Sequence, residues 1–296
     1  MGVGLKRLLM GGAVAAMATG ALAQDRPQII VVNQALELMA EALVGEAADV
    51  VFPVPEGVDP SFWRPSISDI SEIQGADLIL LNGAGFATWI DRVTLPRARV
   101  VNTSAALEDQ FIVTQSITHS HGEGEEHSHE GLASYLWLDP TLAVAQADAI
   151  AAALVLRGIA EAEDLETALD AFTADLTALD AQTATALEGA GDVQIIATHP
   201  RYEYFARRYG LNIASLEWDA GAMPTDAELD GLAAMAADTG ATVLIWEATP
   251  PAEAFAATEG LGLANVVFDP LAFNSDAGSY VDAVGRAVDD LANALN

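Results

Sequence analysis

The chain has 296 residues, 43 acidic side chains against 12 lysines and arginines, a formal net charge of −31 and no cysteine. Such a surface repels nucleic acid and anionic lipid headgroups. The lack of thiols excludes disulfides, thiolate metal sites, a cysteine nucleophile and a lipid-modified cysteine.

Met1 to Ala23 carries Lys6 and Arg7, then an apolar stretch from Leu8 that ends in Ala21-Leu22-Ala23, a small-x-small cleavage pattern. This reads as a secretory signal peptide cut before Gln24; the apolar run is short for a membrane anchor. No later stretch is expected to be long and apolar enough to cross a bilayer. The mature chain is expected to be a free periplasmic protein, not a lipoprotein, and long enough for two compact domains. Every cation after Lys6 is an arginine.

Short apolar, β-branched runs follow at 29–32, 50–54, 78–81 and 100–101, and again at 193–197, 212–216, 242–246 and 264–268. Helical patterns lie between most of them. Strands alternating with helices predict parallel sheets covered on both faces. Four strands in each half predict an α/β fold of two similar lobes, each a mainly parallel four-stranded sheet with flanking helices. Between the halves, Pro140 to Leu156 predicts one helix. Asp164 to Leu187 then keeps apolar residues at i, i+3, i+4 and i+7, with no Pro or Gly until Gly189. A helix of about 24 residues runs roughly 36 Å, long enough to span two lobes. The expected division is a first lobe over 24–160, a rigid linking helix over 161–190 and a second lobe over 191–296.

The histidines are concentrated. His119, His121, His127 and His129, four of the five, sit in the polar stretch THSHGEGEEHSHEG over 118–131, interleaved with glutamates. Imidazole and carboxylate together suit Zn²⁺ and neighbouring ions. Ordering such a loop costs about 1–2 kcal/mol per residue in backbone entropy, so a capture, sensing or docking role is expected rather than a tight site. The fifth, His199, follows the strand at 193–197. Glu247 ends the strand at 242–246 and Asp269 the one at 264–268. Ligands of open α/β sheets bind outside the carboxyl ends of strands, so these three are candidate metal ligands. The aromatic residues Phe62, Trp63, Trp137 and Tyr202 are expected to serve packing rather than ligand binding. Asn82-Gly83-Ala84-Gly85 lacks the third glycine of a dinucleotide loop. There is no Gly-x-Ser-x-Gly elbow and no His-Glu-x-x-His helix, so an enzyme is not expected.

Five stretches carry a family resemblance. THPRYEYFARRYGL (198–211) resembles the segment of cluster A-I metal receptors, the periplasmic substrate-binding proteins of zinc and manganese ABC importers, that holds a metal-binding His. DPSFWRPSISDI (59–70) is similar to their Asp-Pro-His-x-Tyr/Trp-x-Pro motif, and GADLILLNGAGFATWID (75–91) to its continuation. SYLWLDP (134–140) is similar to Pro-His-x-Trp-Leu-Asp-Pro, and VFDPLA (267–272) to the late segment that provides an Asp ligand. The resemblance implies two lobes joined by a long helix, one divalent ion in the cleft between them, and an inner-membrane ABC permease as partner. It carries His199 and Asp269 over as ligands and favours Asp269 over Asp276. It departs at Ser61 and Tyr135, which stand where the family has histidines. A serine hydroxyl is a poor Zn²⁺ ligand, and a tyrosine serves mainly as phenolate. The cargo expected is a divalent ion: Zn²⁺, held weakly by His199, Asp269, Glu247 and water, with Mn²⁺ or iron as alternatives because oxygen-rich sites suit them. Two other readings stand beside it: a periplasmic zinc buffer acting through the His-rich loop, and a receptor for a chelated metal or another small solute. A monomer that binds no nucleic acid is expected.

Overall fold

The computed structural model describes residue 1, residues 26–114 and residues 131–295. The expected signal peptide and all four loop histidines lie outside the described residues.

The first sheet is built from β1 (Gln28–Val31), β2 (Asp49–Val51), β3 (Leu78–Leu81) and β4 (Val100–Asn102), in the order β2-β1-β3-β4 and parallel throughout. Helices α1 (Gln34–Val44) and α2 (Ile67–Gly75) connect its strands. Two short strands, β5 (Val113–Thr114) and β6 (Gly131–Leu132), pair antiparallel on either side of the segment that carries the loop histidines. Two helices follow, α3 (Pro140–Arg157) and α4 (Ala162–Ala186). The second sheet contains β7 (Gln194–Ala197), β8 (Asn212–Ser215), β9 (Val243–Trp246) and β10 (Ala264–Val267). Its order, β10-β9-β7-β8, is again parallel and repeats the first topology strand for strand. Around it lie α5 (Glu203–Tyr209), α6 (Asp226–Thr239), α7 (Ala252–Glu259) and the C-terminal α8 (Tyr280–Leu295).

Local chemistry explains where these elements begin. Asn33 caps α1 by accepting from the Leu36 amide at 2.9 Å. Ser66 with Asp69, and Thr225 with Glu228, form reciprocal capping boxes on α2 and α6. Asp139 caps α3, with Pro140 in the first turn, where its missing N–H costs nothing. The helix ends at Gly158 in the left-handed region.

Helix α4 is the linking helix the periodicity predicts. Its buried side chains are Leu165, Phe172, Leu176, Leu179 and Thr183, a stripe at helical spacing. That stripe packs on α1 and α3 from the first half and on α8 from the second. Arg208 of α5 lies bidentate on Asp180 of α4, and the guanidinium holds that carboxyl below the usual carboxylate range. Helix α3 corrects one expectation: by length and composition it is apolar enough to span a bilayer. Half of it is buried within the protein, where Leu142, Ala143, Ala147, Ile150 and Leu154 contribute to the core.

The two halves share a buried seam. After β10 the chain crosses to helix α1 of the first lobe: the Ala35 amide donates to Leu271 O at 2.9 Å, and Ser275 Oγ donates to Gln34 Oε1 at 2.9 Å. Trp137 Nε1 donates to Pro270 O at 2.6 Å, and the Tyr280 hydroxyl donates to the Trp137 carbonyl. Gly83, in the Gly-rich turn after β3, has φ +79°. A Cβ there would lie 2.1 Å from Ser104 Oγ, so close packing of the turn explains this glycine.

Candidate functional site

In the second sheet the strand order reverses direction between β7 and β9, and ligands of such sheets bind at the carboxyl ends flanking that point. His199 follows β7 by two residues and Glu247 follows β9 directly. His199 Nδ1 lies 2.9 Å from Trp218 O. A carbonyl only accepts, so this nitrogen carries the proton and Nε2 of the neutral ring is left with its lone pair free to bind a cation. The same Nδ1 is 3.8 Å from Glu247 Oε1, and the ring keeps 22% of its surface exposed.

Glu247 is almost fully buried, and its second carboxylate oxygen is taken. Arg201 Nε donates to Glu247 Oε2 at 3.0 Å, and Arg201 NH2 donates to Asp59 Oδ2 of the first lobe at 2.9 Å. The guanidinium lies over the Tyr135 ring, 4.8 Å from its centroid. Arg201 is itself buried. A buried charge persists only when paired, and here one cation ties an acid from each half.

The two positions where the resemblance lacks histidines lie beside this group. The Ser61 amide donates to Asp59 Oδ1 at 2.8 Å. Ser61 Oγ and the Tyr135 hydroxyl are buried and make no hydrogen bond of normal geometry, although the two stand close enough for Ser61 to favour the phenolate. Burial outweighs this and the attraction of Arg201, and pushes the Tyr135 pKa far up. Tyr135 is therefore a neutral hydroxyl at physiological pH.

Asp269 follows β10, beside β9, but turns to its own loop. Its Oδ1 accepts from the Leu271 amide at 2.8 Å and its Oδ2 from Ser275 Oγ at 3.1 Å. Burial raises its pKa, and the charge of Glu247 adds to the rise. Asp276 is exposed. Among the described residues, no three His, Asp or Glu side chains gather as a group able to hold a metal ion. The structure thus brings His199 and Glu247 together, and places Asp269 in electrostatic reach of Glu247 without a shared cage.

Of the four aromatic residues, Trp63, Trp137 and Tyr202 are core, whereas Phe62 is exposed. Two participants were missed by sequence reasoning. Arg201 is one; the available signal was a lone cation two residues after His199. Glu203 is the other. Burial raises its pKa, the charge of Arg201 opposes the rise, and one of its carboxylate oxygens is buried without a partner.

Residues 29–294 match the family described as ZnuA, zinc-uptake complex component A, periplasmic. The chain belongs to this family. Its members are extracytoplasmic substrate-binding components of transport systems and are not enzymes. The high-affinity zinc uptake system protein ZnuA of Bacillus subtilis is 27% identical over 241 residues, covering 75% of this chain and 71% of that protein. The zinc-binding lipoprotein AdcA of Streptococcus pneumoniae serotype 4 is 27% identical over 185 residues, which are 60% of this chain and only 37% of that longer protein. Among solved structures, the substrate-binding protein FpvC from Pseudomonas aeruginosa in complex with Mn²⁺ superposes with a TM-score of 0.74 at 21% identity. That match covers 91% of this chain and 98% of FpvC, and speaks for the fold.

Proposed function

We propose that this protein is the periplasmic receptor of a metal ABC importer. It takes a divalent ion, Zn²⁺ first and Mn²⁺ or iron as alternatives, between the lobes and delivers it to an inner-membrane permease as a free, monomeric protein. The lobes are 24–160 and 191–296, joined by 161–190. The observation that carries this reading is His199: a partly exposed imidazole at the strand-order reversal, with Nδ1 committed to Trp218 O, Nε2 available and Glu247 alongside. Asp269 is the additional oxygen ligand in this proposal. Ser61 and Tyr135 take part as neutral hydroxyls, a set that suits hard ions better than histidines do.

Calorimetric titration of the mature chain with Zn²⁺ and Mn²⁺ tests it. His199→Ala should weaken the cleft ion at least about tenfold, or about 1.4 kcal/mol. Deleting 118–131, which contains His119, His121, His127 and His129, should leave that ion bound. The reverse pattern, metal lost with the loop and indifferent to His199, would instead make the protein a zinc buffer.

A second reading, a receptor for a chelated metal or another small solute, is favoured by the two unpartnered hydroxyls and the paired Arg201. These groups suit hydrogen bonding to an organic ligand better than coordination of a bare ion.

A further inference from the structure

We infer that Arg201 is a resident cation that occupies the charge position of the cleft, so that a metal ion binds there only by displacing its guanidinium from Glu247. The inference rests on the reading of the cleft as the cargo site and specifies what sets its selectivity.

Glu247 Oε1 stands 3.8 Å from His199, on the Nδ1 side of the ring, and Glu247 is the acid that Arg201 holds. The guanidinium also reaches Asp59 of the first half, and it stacks on Tyr135, one of the two positions where the family resemblance expects a histidine. One cation thus joins both halves and neutralises carboxylates from each, the electrostatic role a bound dication would play. A dication at His199 and Glu247 would stand directly beside a positive charge. An arginine does not relieve that repulsion by losing a proton, because guanidinium stays charged at any physiological pH. Relief requires the side chain to withdraw, and withdrawal breaks two charge-assisted hydrogen bonds and the stacking contact. Bare ions are therefore held weakly, and the discrimination among them depends on which can displace the guanidinium.

The test is Zn²⁺ titration of the full mature chain as wild type, Arg201→Met, His199→Ala and the Arg201→Met/His199→Ala double variant. Arg201→Met frees Glu247 and Asp59 and removes the competing charge. It should tighten Zn²⁺ binding at least about tenfold, with the gain lost in the double variant. Arg201→Lys, which keeps a cation but one that can shed its proton and lacks the guanidinium fork, should fall between wild type and Arg201→Met. Unchanged or weaker binding in Arg201→Met overturns the inference, as does a gain that survives loss of His199. If the wild type shows no His199-dependent binding while Arg201→Met acquires it, the inference stands and the bare-ion cargo reading fails.

Should Arg201→Met fold poorly without metal, the wild-type protein decides. The Arg201 Nε–H resonance in ¹⁵N NMR should be slowly exchanging in the metal-free protein and should shift or vanish as Zn²⁺ fills the His199-dependent site. A resonance that is unaltered when that site is full overturns the inference.

Discussion

Replacing Glu247 by Leu should lower stability by about 3 kcal/mol, the largest loss expected from any single change in the cleft. Glu247 is 1% exposed and, with Asp59, is an anionic partner of a buried guanidinium. Removing it leaves Arg201 with the carboxylate of Asp59, which is 26% exposed and screened by water. Asp59→Asn should consequently cost less, about 1 kcal/mol. If the loss comes from an uncompensated charge, taking that charge away should restore it. The double variant Arg201→Met/Glu247→Leu puts apolar groups of similar volume in place of the pair and should recover most of the wild-type midpoint. Urea denaturation of the four proteins reads all of this. A Glu247→Leu midpoint equal to wild type would show that the pair contributes nothing to folding.

Trp137→Ala should cost a further class of energy, about 4 kcal/mol, by opening a cavity in the seam between the halves. Trp137 is fully buried. Its ring packs edge-on to Phe86, with centroids 5.6 Å apart, and against Tyr135 at 4.7 Å. The truncation also orphans the carbonyl of Pro270, which accepts from the indole N–H. Trp137→Phe separates the two contributions: it keeps most of the apolar volume, loses the hydrogen bond and should cost about 1–2 kcal/mol. Thermal unfolding followed by circular dichroism distinguishes them. Equal losses for Ala and Phe would assign the effect to the hydrogen bond and not to the cavity.

The lobes were legible in the sequence because their strands are buried on both faces. Ile29 to Val31 and Val243 to Trp246 are short, continuous apolar runs, as parallel strands covered on both faces require. The linking helix was legible because one stripe, Leu165 to Thr183, stays in phase over its full length. His199 and Glu247 were legible for a related reason, since a strand end fixes where the next side chain emerges. Asp269 shows the limit of that argument: its strand end is in the right place, but the turn at Leu271 and Ser275 claims both of its oxygens. Arg201 was not legible. Its partners lie 46 and 142 residues away, one at a neighbouring strand end and one in the other half, and no local pattern announces either contact.

The cleft account is tested most directly by locating the metal itself. Crystals of the mature protein grown with Zn²⁺ and measured on both sides of the zinc absorption edge should show an anomalous peak about 2.0–2.1 Å from His199 Nε2, with Arg201 drawn away from Glu247. Zinc found only elsewhere on the chain, with the Asp59–Arg201–Glu247 contacts intact and nothing on His199, would contradict the account.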